Sequence, residues 1–279
     1  MQADISTIYD SQVCSVHNFL CRCTECGVSE KEYQQNLSIA YIRRGNFRFR
    51  VFRNELDACS GLFLLCKPGY EHRVAHVHDI PDQCTIFSFP VESAQRLAAT
   101  APAYTWFFDN PDKDAILVKA TPEMELLHHH IFSVIQKPHY PRLWAEQLMT
   151  ELFLQVLSAG SRERKLPVLS DRQKRNYLPV IEEIKLFIHE NYTDDISLSQ
   201  LASIGNLSPF HFNRLFKQVT AATPYNYLLQ VRLKEAQLQL QHTRQPVTGI
   251  AFAAGFNSLE HFSAAYKKQF GKSPSSIRL

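Results

Sequence analysis

No segment of this chain approaches the roughly 20 consecutive apolar residues that a membrane-crossing helix needs. Glycine is scarce, nine residues in 279, and none fall in the spacings of a phosphate-cradling loop. A nucleophile elbow and a His-Glu-x-x-His helix are also missing, which excludes the commonest hydrolase signatures. Charges of one sign do not run together, and the net charge is only +3. Cysteine, by contrast, is not scarce. Seven thiols without a secretory leader set the expectation of a reducing cytoplasm with unbridged cysteines and no membrane partner.

The informative material lies in the last hundred residues, where a short-helix, turn, second-helix pattern occurs twice. The first runs through Leu198-Ser199-Gln200-Leu201-Ala202 and then Ser208-Pro209-Phe210-His211-Phe212-Asn213-Arg214-Leu215-Phe216-Lys217. The second runs through Val247-Thr248-Gly249-Ile250-Ala251, then Gly255 to Phe262, and on to Tyr266-Lys267-Lys268-Gln269-Phe270-Gly271. A short helix propping a second one outward is a helix-turn-helix, the arrangement that lays a recognition helix in the DNA major groove. Ser208-Pro209 and Thr223-Pro224 are N-cap and first-turn pairs, and Ser197 with Gln200 reads as a capping box.

Within the first recognition helix, Phe212, Leu215, Phe216 and Val219 recur at helical spacing and predict the buried face. Phe210, His211, Asn213, Arg214 and Lys217 are left for the other faces. Arginine can pair bidentately with guanine and asparagine with adenine, and lysine suits phosphate. A solvated helix face is the bland alternative. Between the motifs, Pro224–His242 predicts a helix of about 28 Å against the roughly 34 Å between successive major-groove faces. Its expected buried stripe is Leu229, Leu233, Ala236 and Leu240.

Residues from about Val180 to Arg278 resemble the DNA-binding domain of the AraC/XylS family of bacterial regulators. The matching positions are Leu201-Ala202, Ser208-Pro209, Arg214-Leu215-Phe216-Lys217, Thr223-Pro224, Tyr227, Arg232, Ala236, Ile250-Ala251, Gly255-Phe256, Phe262-Ser263, Phe270-Gly271, Ser273-Pro274 and Arg278. The resemblance implies that Phe210, Asn213 and Arg214 face the groove. It also implies promoter DNA and RNA polymerase as partners, activation as the commoner mode, and a bacterial cytoplasmic setting at the nucleoid. Two departures stand out: Ala221 replaces a usual glycine, and Ala264 stands where arginine is frequent. The second motif, with Ser258, Leu259, Glu260 and His261 near the groove and Lys267 and Lys268 on phosphate, is therefore expected to read sequence weakly.

The rest of the chain reads as a separate domain. Residues 1–160 carry 14 basic and 18 acidic side chains, residues 161–176 carry 6 and 2, and residues 177–279 carry 10 and 7. The basic excess thus lies where phosphate would use it. The boundaries read as 1–158, a basic linker at 159–176, and 177–279, with the helix after the linker starting near Tyr177-Leu178-Pro179. Phe47–Phe52, Gly61–Cys66 and Cys84–Phe89 read as strands, followed by helical periodicity from Thr121-Pro122. This order resembles the cupin-like effector and dimerisation domain of many AraC-family members. The expectation is a two-domain α+β protein: a cupin-like β-barrel with trailing helices, then an all-α domain of two helix-turn-helix motifs joined by a long helix. The barrel mouth suits an unidentified small effector, and the helices suit a homodimer partner. A protein partner in place of the small molecule stays open, as does the reading that the helices only cover the barrel.

No cofactor is expected, and no enzyme activity. A cupin-type dioxygenase or isomerase would need an acidic ligand soon after His76-Val77-His78, where only Asp79 and Asp82 are near. Cys21, Cys23 and Cys26 are dense enough to share a soft metal or form a redox disulfide. His72, His76 and His78 would share a strand face. Unligated cysteines and surface histidines are the favoured reading, with His128-His129-His130 on a solvated helix face.

Overall fold

The computed structural model describes residues 3–22, 27–52, 54–76, 81–100, 102–137, 139–162, 166 and 169–277. Two compact units divide the chain, Met1–Glu182 and Glu183–Leu279.

The first unit contains β1 (Ala3–Asp10), β2 (Ser15–Cys21), β3 (Glu32–Tyr33), β4 (Leu37–Arg44), β5 (Asn46–Val51), β6 (Asn54–Cys59), β7 (Leu62–Cys66), β8 (Glu71–His76) and β9 (Gln83–Phe89). Then follow α1 (Val91–Ala98), α2 (Pro102–Asp109), β10 (Ala115–Lys119), α3 (Pro122–Ile135) and α4 (Arg142–Gly160). The strands form a six-stranded sheet, β1-β2-β9-β4-β7-β10, and a four-stranded sheet, β3-β8-β5-β6. Strand β9 is central in the larger sheet: Phe87 faces Val16 of β2 on one side and Ile39 of β4 on the other, and all three are buried.

Among the described residues the strands do not close into the barrel expected from the sequence. Both sheets are open, with β1 and β10 as edges of one and β3 and β6 as edges of the other. The edges are short or polar: β3 has two residues, and most of β1 is exposed. Short polar edges deter further strand pairing.

Helices α3 and α4 cover this unit with Leu126, Leu127, Ile131, Leu148, Leu152, Phe153 and Val156 buried. The contact is not purely apolar. The Tyr41 hydroxyl donates to Glu125 Oε1 at 3.2 Å, and His128 Nε2 lies 2.8 Å from Thr85 Oγ1. His128 is therefore not on a solvated face: it is buried, its ring 4.5 Å from that of Tyr41.

Helix α5 (Asp171–Glu190) begins six residues before the expected Tyr177. A reciprocal capping box starts it: the Gln173 amide donates to Ser170 Oγ at 3.3 Å, and the Ser170 amide donates to Gln173 Oε1 at 3.0 Å. Pro179, which looked like a start signal, sits inside the helix. The remaining elements are α6 (Leu198–Ile204), α7 (Pro209–Thr220), α8 (Pro224–His242), α9 (Val247–Ala253), α10 (Leu259–Phe270) and a 3-10 turn at Pro274–Ile277.

Candidate nucleic-acid interface

Each helix-turn-helix is set by caps that the side chains supply. Ser197 Oγ accepts from the Gln200 amide at 3.1 Å, Ser208 Oγ from His211 at 3.3 Å, Thr223 Oγ1 from Asn226 at 3.3 Å and Ser258 Oγ from His261 at 3.1 Å. Helix α7 then divides cleanly along its length. Phe212, Leu215, Phe216 and Val219 are buried. The Phe216 ring meets Tyr227 of α8 edge-on at 5.5 Å, and the Tyr227 hydroxyl lies 2.9 Å from His189 Nε2 of α5.

The opposite stripe of α7, offset by i, i+3, i+4 and i+7, is Phe210, Asn213, Arg214 and Lys217. Phe210 is 79% exposed, a cost in water that a packing role would not incur. Arg214 and Lys217 are exposed, and Asn213 and His211 are half-buried. Among the described residues neither Arg214 nor Lys217 is held in an ion pair, so both cationic heads face outward.

The second motif is built on the same plan. Phe262 and Tyr266 of α10 are buried with Leu233, Ala236 and Leu240 of α8 and Ile250, Ala251, Ala254 and Phe256. Leu259 packs against that core, and Ser258 is committed to its cap. Glu260 and His261 are exposed, though the His261 ring rests 5.5 Å from Phe256. The outward stripe is Glu260, Ala264 and Lys267, with Lys268 beside it. Lys267, with Lys268 beside it, supplies the positive charge on this face.

Helix α8 differs from the single-sided strut expected. Leu229 is only partly buried, while Tyr227, Leu228, Val231 and Leu238 are buried along with Leu233, Ala236 and Leu240. Both motifs pack on it, so it is enclosed on several faces rather than one. Arg232 adds a polar lock: Nε donates to the Tyr192 carbonyl at 2.6 Å and Nη2 to the Asp194 carbonyl at 2.7 Å. Gly255, with φ of +83°, fits against the same place. This lock was not legible in the sequence, although Arg232 and Gly255 were both among the matching positions.

The two recognition helices end alike. Ala221 and Gly271 both adopt left-handed geometry, φ 63° and 73°, and donate back to the Lys217 and Lys267 carbonyls. A Cβ in that region costs about 1–2 kcal/mol. Ala221→Gly is therefore expected to raise unfolding free energy, by about 0.5–1 kcal/mol after the added freedom of the unfolded chain is subtracted. Denaturant titration of the two proteins would test it, and an unchanged or lowered midpoint would refute it.

In the first unit, Cys21 and His76 come together, with Asp82 as a third member. Cys23, Cys26 and His78 lie outside the described residues. His72 is engaged elsewhere, stacked at 4.7 Å on Phe49 and holding the Glu32 carboxyl below its usual range. All five described cysteines are buried. Burial pushes the Cys14 and Cys66 thiols up to about 12, the opposite of what a reactive sensor thiol needs.

Two outward-facing helices on a shared scaffold define a DNA-binding protein of the double helix-turn-helix class. Residues 201–279 match the family model described as "Helix-turn-helix domain". The chain is 24% identical over 248 residues to the Msm operon regulatory protein of Streptococcus mutans serotype c, covering 88% of this chain and 84% of that protein. It is 30% identical over 126 residues to the HTH-type transcriptional activator RhaS of an Enterobacter species, covering 45% and 44%. It thus spans most of the first relative and under half of the second. Among solved structures, it is similar to the C-terminal domain of AraT, a response regulator from Geobacillus stearothermophilus, with 29% identity over 36% of this chain and 84% of that one and a TM-score of 0.35. In its C-terminal region this chain is thus similar to HTH-type transcriptional regulators that carry the same helix-turn-helix domain. No helix among the described residues is long and apolar enough to cross a membrane.

Proposed function

We propose that this protein is a sequence-specific transcriptional regulator, acting as an activator, that sets α7 and α10 into successive major grooves of promoter DNA. The observation that carries the reading is the outward stripe Phe210, Asn213, Arg214 and Lys217, which lies opposite a fully buried apolar stripe on the same helix. Arg214 and Asn213 read base edges, Phe210 meets a thymine methyl, and Lys217 holds phosphate. His211, half-buried at the helix start, flanks the phosphate backbone. Within the second motif, Glu260 and His261 edge the groove, Lys267 neutralises phosphate, and Ser258 and Leu259 support from behind. The domain of residues 1–158 senses an effector and pairs the chain into a homodimer, the basic segment 159–176 transmits the change to residues 177–279, and RNA polymerase is the activation partner. Regulation rather than catalysis is the assigned role.

The test is a binding-site selection followed by hydroxyl-radical footprinting with the full-length protein. Two protected tracts about one helical turn apart, the α7 tract carrying most of the sequence preference, are expected. A single tract would refute the two-groove reading. Lys267→Ala should weaken every sequence alike and lower the slope of log affinity against log salt by about one phosphate contact. A change in sequence preference in that variant would reassign Lys267 to base reading.

A further inference from the structure

Far from the recognition helices in sequence, three strand ends bring unlike ligand types to one buried point. Cys21 closes β2, His76 closes β8, and Asp82 immediately precedes β9. Their ligating atoms all lie within 4.8 Å of one another. The His76 and Asp82 side chains are 3% and 1% exposed, with Nδ1 2.5 Å from Oδ2. The backbone holds the arrangement together, since the Cys21 amide donates to the Asp82 carbonyl at 2.9 Å. Gly45 makes room for the carboxylate: at φ +89°, a Cβ there would lie 2.1 Å from Asp82 Oδ1. Cys84 is buried two residues along β9, its thiol pushed well up by burial and then by the Asp82 carboxylate and Cys21.

We propose that Cys21, His76 and Asp82 bind one divalent transition-metal ion of the zinc class. A carboxylate so far from water needs a compensating positive charge. The mixed thiolate, imidazole and carboxylate set suits zinc or cobalt and disfavours magnesium and calcium, which take oxygen ligands. On loading, the Cys21 thiol gives up its proton and His76 ligates as the neutral imidazole, so the ion's two positive charges meet one thiolate and one carboxylate. Three protein ligands leave a position for water or a further donor. The ion would clasp β2 and β9 of the six-stranded sheet to β8 of the four-stranded sheet, tying the two open sheets together at one end. The competing reading is a plain buried histidine–aspartate pair, which takes up no metal.

Cobalt(II) titration of the reduced full-length protein, purified without oxygen, separates the two. One equivalent should give a thiolate-to-cobalt charge-transfer band, displaced by one equivalent of zinc, and zinc should raise the thermal midpoint. Cys21→Ser should lose that band. Asp82→Asn, which keeps the side-chain shape, should weaken competition against a chelator by at least the roughly 10–100-fold that loss of an outer-shell partner costs. Circular dichroism of both variants reports whether they fold. If Cys21→Ser misfolds, Asp82→Asn and the zinc-dependent midpoint of the unaltered protein decide. A band that survives Cys21→Ser and vanishes in a Cys23→Ser, Cys26→Ser double variant overturns the proposal, as does the absence of any band in the unaltered protein.

Discussion

Arg214→Ala is expected to erase base preference at one position of the preferred site and to weaken binding there by about 1–3 kcal/mol, roughly fivefold to more than a hundredfold. Arg214 stands one turn beyond Phe210 on the exposed stripe of α7, and the buried residues Phe212, Leu215 and Phe216 do not depend on it. The variant should therefore fold and dock on phosphate as before. Arg214→Lys sharpens the test, because it keeps the charge and removes the planar fork. It should retain the salt dependence of the unaltered protein and still lose the preference. Affinity to a panel of single-base variants of the selected site, measured at one fixed salt concentration, reads both effects. An Arg214→Ala protein with unchanged relative affinities would remove Arg214 from base reading and leave it a phosphate contact.

What the sequence made legible follows from how local each signal is. Ser197, Ser208 and Thr223 cap helices within three residues of themselves, and all three caps are present, whereas Ser258, read from the sequence as a groove residue, is a fourth cap. The buried stripe of α7 likewise follows from spacing alone. Errors arose where the decisive partner is distant or where a residue has two meanings. Pro179 reads equally as a helix opening or a tolerated interior proline, and the Ser170 and Gln173 capping box decided between them. His128 was read as solvated because a helical pattern turns the rings of His128, His129 and His130 in different directions; its partners, Thr85 and Tyr41, sit on strands some 43 and 87 positions earlier. Alternation could identify strands β5, β7 and β9 but could not say whether the sheet closes, since closure depends on edges as far apart as β1 and β10. The Cys21, His76 and Asp82 cluster was half visible. In sequence Cys21 was grouped with Cys23 and Cys26, and His76 with His78 and the nearby Asp79 and Asp82; strand pairing is what brings Cys21 to His76 and Asp82.

Gly255→Ala is expected to be the most damaging small substitution in the DNA-reading unit. Two separate costs fall on it. The backbone φ of +83° is unfavourable for any residue with a Cβ, by about 1–2 kcal/mol. The added carbon would also lie 2.9 Å from Arg232 Nε, 2.9 Å from the Tyr192 carbonyl oxygen and 3.0 Å from Thr193 Cα, and overpacking of that kind costs about 1–3 kcal/mol. Gly271→Ala is the internal control: its φ is also positive, at +73°, but nothing lies within 4 Å of the added carbon, so it should show the backbone cost alone. The difference between the two variants in denaturant unfolding then isolates the crowding. Its site matters for function, because Arg232 joins α8 of the strut to the Tyr192 and Asp194 carbonyls while Gly255 opens the turn of the second motif against them. Moving that junction shifts one recognition helix relative to the other. Gly255→Ala should thus lose affinity for the full two-groove site more than for a site carrying only the α7 half. Removing the Arg232 side chain in the same protein relieves one of the three close contacts, so the double variant should cost less than the two single variants combined. Strict additivity, or equal stability of Gly255→Ala and Gly271→Ala, would show that the two motifs are not locked at this point.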